Sequence, residues 1–378
     1  RHISIPSAAL IMNPLPMNQS NSLSTLLFGL VITLLVAAGC NMEYKPKAKG
    51  SLDSILLVVD TTQHNASLVP AIREVFEQAI PHVPGYEPQY KMHIASFERE
   101  SDLSVIENRT NVVIAAPLDE QTPTGSLVRS MLNESFEQNV RNGTSFAFPA
   151  KDVWARNQWV LVLTGMDTVT MKQAILEADT RLLEPLQTYE LERWTRDIYE
   201  KGEQVELADS LMAHAGWSVR MQHDYVWNFD TTRFVQFRRP LIDNDRWIWG
   251  AWEELQDPGV ITPSWIQAKR DSIMATYLKG SRPKSYITTE TRRPVSTSFL
   301  DESEHLAFET LGTWTMVNDF MGGPFVHFTY YIPEQERVVF VEYGQFAPQV
   351  GKRRFVRQFR AMGRTFKVDT TLTTDSSK

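Results

Sequence analysis

The sequence predicts a two-lobed α+β protein: an N-terminal layered lobe of βαβ type, a helical connector, and a C-terminal, mostly antiparallel sheet with two helices. Three observations predict it. Buried-strand runs alternate with helical patterns up to Thr164, helix formers dominate 166–216, and closely spaced strands follow Trp217.

In the first lobe the apolar, β-branched run Ile55-Leu-Leu-Val-Val59 stops at Asp60 and reads as a buried strand. A helical pattern through Ala71, Val75, Phe76 and Ala79 follows, ended by Pro81 and the Pro84-Gly85 turn. Lys91–Phe97 and Asn111–Ala116 are expected strands, Gly125–Val140 a helix, and Trp159–Thr164 the closing strand. The connector is expected to break at Gly202. In the second lobe, strands are expected at Ser218–Gln222, Arg233–Arg239, Trp247–Trp252, Thr313–Asn318, Phe325–Ile332 and Val338–Gln345, with helices at Ser264–Leu278 and Lys352–Phe366. The expected divisions are a leader over 1–39, a flexible tether over 40–50, lobes over 51–165 and 217–368 joined by the connector 166–216, and a frayed tail over 369–378.

Composition narrows the classes. At 42% hydrophobic and 22% charged, the 378 residues belong to a globular protein and exclude a disordered, collagen-like or disulfide-stapled chain. A net charge of −7 supplies no basic field, so nucleic acid is not an expected partner.

Leu23–Ala38 is an uncharged apolar run, shorter than the ~20 residues that span a bilayer and suited to the core of a signal peptide. Val36-Ala-Ala-Gly-Cys40 then places small residues before the only cysteine. This resembles the lipobox of bacterial lipoproteins, which implies a diacylglycerol thioether on Cys40 and cleavage before it; as the sequence does not open on Met, Met12 or Met17 is the expected start. The resemblance implies a bacterial envelope protein facing the periplasm, held in the inner or outer membrane by acyl chains worth ~0.8 kcal/mol per buried methylene. With Cys40 lipidated no thiol remains for a disulfide, a zinc site or a nucleophile.

Four stretches carry a second resemblance: Ile55-Leu-Leu-Val-Val-Asp60, Arg109-Thr-Asn-Val-Val-Ile114, Arg270-Asp-Ser-Ile273 and Asp319-Phe-Met-Gly-Gly-Pro-Phe325. Together, from about Ser51 to Met362, they resemble the bacterial lipoprotein family of the domain of unknown function 4837. That family implies a periplasmic lipoprotein and no particular activity.

Candidate site residues are few. No two of the eight histidines stand at HxH, HxxxH or HExxH spacing, so neither a metal nor a cofactor is expected. His327, on a strand beside Gly322-Gly323-Pro324, reads as an ordinary strand histidine or as a site member. The Gly-Gly-Pro stretch reads as a tight turn entering a core strand, or as backbone amides lining a cleft with Asn318 and Asp319. Trp247 and Trp249 share one strand face, with Trp252 on the other, and offer either core packing or a stacking platform for envelope glycans such as peptidoglycan. Asp243-Asn244-Asp245 reads as a hairpin turn, and Arg353, Arg357, Arg360 and Arg364 as one face of an amphipathic helix whose phenylalanines pack on the sheet, the arginines being either solvated or paired with the chain's own acids, or offered to anionic lipid head groups or an acidic partner. The expected function is non-catalytic binding or scaffolding in envelope maintenance through an envelope partner. The rival is glycan processing by scattered carboxylates such as Asp60, Asp319 and Glu342, whose separation a sequence does not give.

Overall fold

A computed structural model describes residues 45–371 and divides the chain into two compact units. The first comprises residues up to Gln78 together with Tyr90–Tyr189; the second comprises Ala79–Gln89 and everything from Glu190 onward. The leader, Cys40 and the last seven residues lie outside the described residues.

The N-terminal unit is built in chain order from β1 (Ser54–Val58), α1 (Thr61–His64), α2 (Leu68–Phe76), β2 (Lys91–Ala95), α3 (Leu103–Glu107), β3 (Asn111–Ala115), α4 (Pro123–Met131), α5 (Glu134–Arg141), β4 (Ala147–Lys151), β5 (Trp159–Leu163) and α6 (Thr168–Ala178). Its sheet has the order β2-β1-β3-β5-β4, parallel throughout except for β4. Alternate side chains of β1 enter two cores. Ile55 and Leu57 pack with α2 and α6, whereas Leu56 and Val58 pack with α3, α4 and α5. Such two-sided burial explains why β1, β3 and β5 read as unbroken apolar runs rather than alternating ones.

Two differences from the sequence expectation have local causes. The helix expected over Gly125–Val140 is two, because Asn133 leaves the helical path and its side chain accepts from the Phe136 amide at 2.8 Å, capping α5. The sequence offered no strand at β4, since Pro149 argues against one; it is tolerated because β4 is an edge strand.

The segment expected to be a flexible tether is partly bound. From Lys45 it runs against the N-terminal unit: the Ala48 amide donates to the Arg156 carbonyl at 2.9 Å, the Thr110 amide to that of Lys49 at 3.1 Å, and Lys45 Nζ to that of Asp152 at 2.7 Å. These partners precede β3 and β5, so the segment crosses the amino-terminal edge of the sheet.

The connector is shared between the units. After α6, α7 (Glu184–Tyr199) gives its first turns to the N-terminal unit and the remainder to the C-terminal one, where α8 (Val205–Ala215) follows. Gly202, at φ +124°, makes the expected break between them.

The C-terminal unit continues with β6 (Trp217–Ser218), β7 (Val226–Thr231), β8 (Phe234–Arg239), β9 (Asp245–Glu254), α9 (Pro263–Tyr277), β10 (Ile287–Thr289), β11 (Ser296–Phe299), β12 (Leu306–Met316), β13 (Gly322–Ile332), β14 (Arg337–Phe346), α10 (Arg353–Gly363) and β15 (Lys367–Val368). Its large sheet is antiparallel in the order β10-β12-β13-β14-β9-β8-β7, with β11 beside β12. One face, bearing Trp247, Trp249, Trp314, Phe325 and Phe340, is covered by α9 through Met274. On the other face α10 stacks Phe359 on Tyr343 at 5.7 Å, and the Tyr330 hydroxyl donates to the Gly363 carbonyl at 2.8 Å. Among the described residues no helix is long and apolar enough to cross a membrane.

Candidate functional site

The carboxyl-terminal edge of the N-terminal sheet gathers polar side chains that the sequence holds far apart. Directly after β1, Asp60 caps α1, its carboxylate accepting from the Thr62 amide at 2.9 Å and the Thr62 hydroxyl at 2.6 Å. The Thr62 hydroxyl, followed by backbone amides, holds that carboxyl below its usual range against the smaller effect of burial. One turn later His64 points Nε2 at Glu120 Oε2, 2.5 Å away, with both side chains about 95% buried. Glu120 lies in the loop after β3, and its other carboxylate oxygen accepts from Thr122, the residue capping α4. The Arg129 guanidinium donates to the carbonyls of Leu118 and Glu120 at 2.8 and 2.6 Å. Gly125 permits this close approach: a Cβ there would stand 2.3 Å from the Glu120 carbonyl oxygen. On the other side of the imidazole, Ser67 Oγ lies 3.4 Å from Nδ1.

Of this cluster only Asp60 was among the sequence candidates, as a carboxylate for glycan processing, and it serves as the cap of α1; His64, Ser67 and Glu120 were not. The available signal was His64 a few residues beyond a buried parallel strand, the edge at which open α/β sheets place ligands. Glu120 carries no comparable local mark.

The remaining described sequence candidates lie in the C-terminal unit and are largely interior. Trp247 is 6% exposed and Trp249 fully buried. They share a face as expected, but α9 covers it, so the glycan-platform reading is corrected to core packing. His327 is also fully buried, its Nδ1 3.2 Å from Glu342 Oε2 and its Nε2 3.2 Å from the Thr329 hydroxyl. Glu342 receives Arg270 through two contacts of 2.6 and 2.9 Å. Burial raises the Glu342 carboxyl, but Arg270 and His327 outweigh it and hold it below its usual range. Burial lowers His327, Glu342 only partly opposing it, so the ring is held neutral. His327 is thus the interior strand histidine of the first reading, and Glu342 is enclosed rather than offered to a substrate.

Gly322 and Gly323 are not the turn. The chain reverses at Asn318, φ +58°, and both glycines already pair with β12. Gly323 is required for close approach, as a Cβ would meet the Gln345 carbonyl oxygen. The reading of these amides as a cleft lining is corrected accordingly, because the ladder occupies that stretch. Asn318 is exposed and donates to the Lys284 carbonyl at 3.3 Å, while Asp319 accepts from the Phe320 amide at 2.8 Å and lies 3.7 Å from Arg282. Asp243-Asn244-Asp245 belongs to the β8–β9 hairpin connection as expected, with Asp245 paired to Arg238.

The arginine face of α10 is turned to internal acids and carbonyls. Arg360 grips Glu309 through both oxygens, Arg364 joins Glu309 to Glu302, Arg357 lies 3.0 Å from Glu190, and Arg353 donates to the Pro88 carbonyl at 2.8 Å. Burial raises Glu309, yet the two arginines hold it at about 2. His82, bonded to Ser296 at 2.9 Å, is held at about 4 by burial and then by Arg360, with Glu309 opposing.

These shifts predict acid sensitivity in two windows. An unfolded His82 takes up a proton near pH 6.5, whereas the folded one waits until about pH 4, so stability drains as pH falls through that interval, by ~2 kcal/mol. Glu309 is stabilising above pH 4.5, and that contribution is lost towards pH 2. Urea titrations between pH 7 and 3 should show H82Q losing part of the upper slope while the lower one persists; identical slopes in both proteins would contradict the assignment.

Each unit also holds a cavity. One of about 470 Å³ in the C-terminal unit is lined by Glu302, His305, Tyr330, Arg364 and Phe366. The other, about 420 Å³ in the N-terminal unit, is lined by Val140, Phe146, Met166 and Met171.

Comparison with known proteins places family boundaries on this architecture. Residues 48–199 match the model of a Domain of unknown function (DUF8532), and residues 204–365 that of a Domain of unknown function (DUF4837). The stretches at Ile55 and Arg109, read from sequence as part of one resemblance, therefore fall in the span of the other model. No curated protein matches the chain. Solved structures similar to parts of it include the Saccharomyces cerevisiae Ran-binding protein Mog1p, at TM-score 0.30 and 8% identity over 41% of this chain and 92% of that one. A mutant of protein Mog1 gives TM-score 0.29 and 9% identity over 41% and 93%. The family signal rests on the model matches, and over residues 204–365 it is that of the domain of unknown function DUF4837.

Proposed function

We propose that this chain is a lipid-anchored protein of the bacterial cell envelope, facing the periplasm. A thioether on Cys40 holds it at the membrane, and its C-terminal unit acts in envelope maintenance as a non-catalytic binding or scaffolding module. The observation that carries the reading is the small-residue box before the sole cysteine, at the end of an uncharged apolar run. The bound segment supports it. Lys45 is already fastened to the N-terminal unit, so an anchor at Cys40 leaves a reach of at most roughly 18 Å to the lipid. The amino-terminal edge of that sheet would then face the membrane. In the C-terminal unit, enclosure of His327, Glu342 and Glu309 in internal pairs favours structural over chemical use.

Labelled palmitate supplied to bacteria expressing the full chain should enter the protein and sediment with membranes, whereas C40S should take up no label and appear in the soluble fraction. A wild-type protein with a free thiol, or unlabelled in the membrane, would overturn the reading.

A further inference from the structure

The geometry points to an acyl-transfer triad in the N-terminal unit, with Ser67 as nucleophile, His64 as base and Glu120 as its orienting carboxylate. This goes beyond the anchoring proposal and does not depend on it.

In the order β2-β1-β3, the chain leaves β1 to one side and later returns to the other, which makes the crevice beyond their carboxyl ends the switch point of the sheet. His64 and Ser67 follow β1, and Glu120 follows β3. Parallel pairing of Leu56, Leu57 and Val58 with Val112, Val113 and Ile114 brings these two loops side by side.

The order of contacts is that of a nucleophile, a base and an orienter. Glu120 accepts at 2.5 Å from His64 Nε2, which fixes the proton on that nitrogen and leaves the Nδ1 lone pair towards Ser67 Oγ, 3.4 Å away. That last distance is long for a hydrogen bond, as such contacts commonly are before substrate binds. The carboxylate is itself immobilised by Thr122 and, through its backbone, by Arg129. Ser67 precedes α2 without using its hydroxyl as a helix cap and is only half-buried, while the base and the carboxylate are enclosed. A purely structural His–Glu pair does not require a free hydroxyl on the opposite nitrogen.

The substrate class is a carboxylic ester. Ser67 Oγ bonds to the acyl carbon as its proton moves to His64 Nδ1, and the resulting imidazolium is paired with Glu120. Collapse breaks the ester C–O bond, the departing alkoxide takes that proton, and an acyl-Ser67 remains. Water then adds to this ester, giving its proton to His64 and finally returning it to Ser67, which releases the carboxylic acid.

A fluorophosphonate probe tests this on the full chain, with p-nitrophenyl butyrate as a turnover substrate. The wild type should be labelled on Ser67, located by peptide mass spectrometry, and should hydrolyse the ester. S67A should lose both at an unchanged melting temperature, and E120Q should lower the labelling rate at least about 100-fold. Wild-type protein that takes no label and turns over no ester would overturn the triad and leave a structural pair. Labelling that persists in S67A would overturn Ser67 as nucleophile. Neither result bears on palmitate incorporation at Cys40, so the two proposals fail separately.

Discussion

Arg270→Ala is expected to destabilise the C-terminal unit by about 3–5 kcal/mol, the cost typical of removing one partner from a buried ion pair. Arg270 and Glu342 are both fully buried. The guanidinium contacts both Glu342 oxygens, donates to the Thr289 hydroxyl at 2.9 Å, and lies 3.6 Å over the Phe325 ring. Its removal leaves the fully buried Glu342 carboxylate on β14 with only the neutral His327 imidazole and no cation beside it. Burial, the largest influence on Glu342, then acts unopposed by the arginine, and the carboxyl takes up a proton. Replacing both members with R270M and E342L should cost clearly less than the sum of the single changes, because no fully buried charge is left unpaired; Asp271, also 3.0 Å from Arg270, is partly exposed and keeps the Thr289 amide and hydroxyl. Urea midpoints of the two singles and the double form the cycle. A loss below 1 kcal/mol for Arg270→Ala would show that the pair is not enclosed as described.

Gly323→Ala is expected to cost about 3 kcal/mol, at the upper end of the usual overpacking penalty. The added Cβ would stand 2.0 Å from the Gln345 carbonyl oxygen and 2.9 Å from Trp314 Nε1. The first obstacle is backbone, in β14, and cannot rotate away as a side chain would. Gly322→Ala is the control, since its Cβ would stand 3.0 Å from the Trp314 carbonyl oxygen and 4.0 Å from Thr315 Cα, a milder approach than at Gly323. Thermal melts should therefore rank wild type, then G322A, then G323A as least stable. Equal melting temperatures for G323A and the wild type would remove the close-approach explanation for the Gly-Gly-Pro stretch.

The elements most legible in the sequence were those whose signal is local. Ile55–Val59, Asn111–Ala116 and Trp159–Thr164 are continuous apolar strands, and each forms within a residue or so of its expected ends. Less legible were β4, where Pro149 hides an edge strand, and β7, whose largely exposed residues Val226–Thr231 lack a buried alternate face.

Period-two geometry by itself puts Trp247 and Trp249 on the same side of a strand. It does not say whether that side meets solvent or a helix, and α9, arriving from later in the chain, made it core. Ser67 and Glu120 are 53 positions apart and share no pattern, so only the pairing of β1 with β3 places them on one imidazole. Side-chain alternation and the leader are properties of neighbouring residues, and the sequence alone determined them as expectations. Enclosure of the tryptophans, pairing of the Glu342 carboxylate with Arg270 and convergence on His64 depend on which distant segments pack together, and tertiary structure decided those.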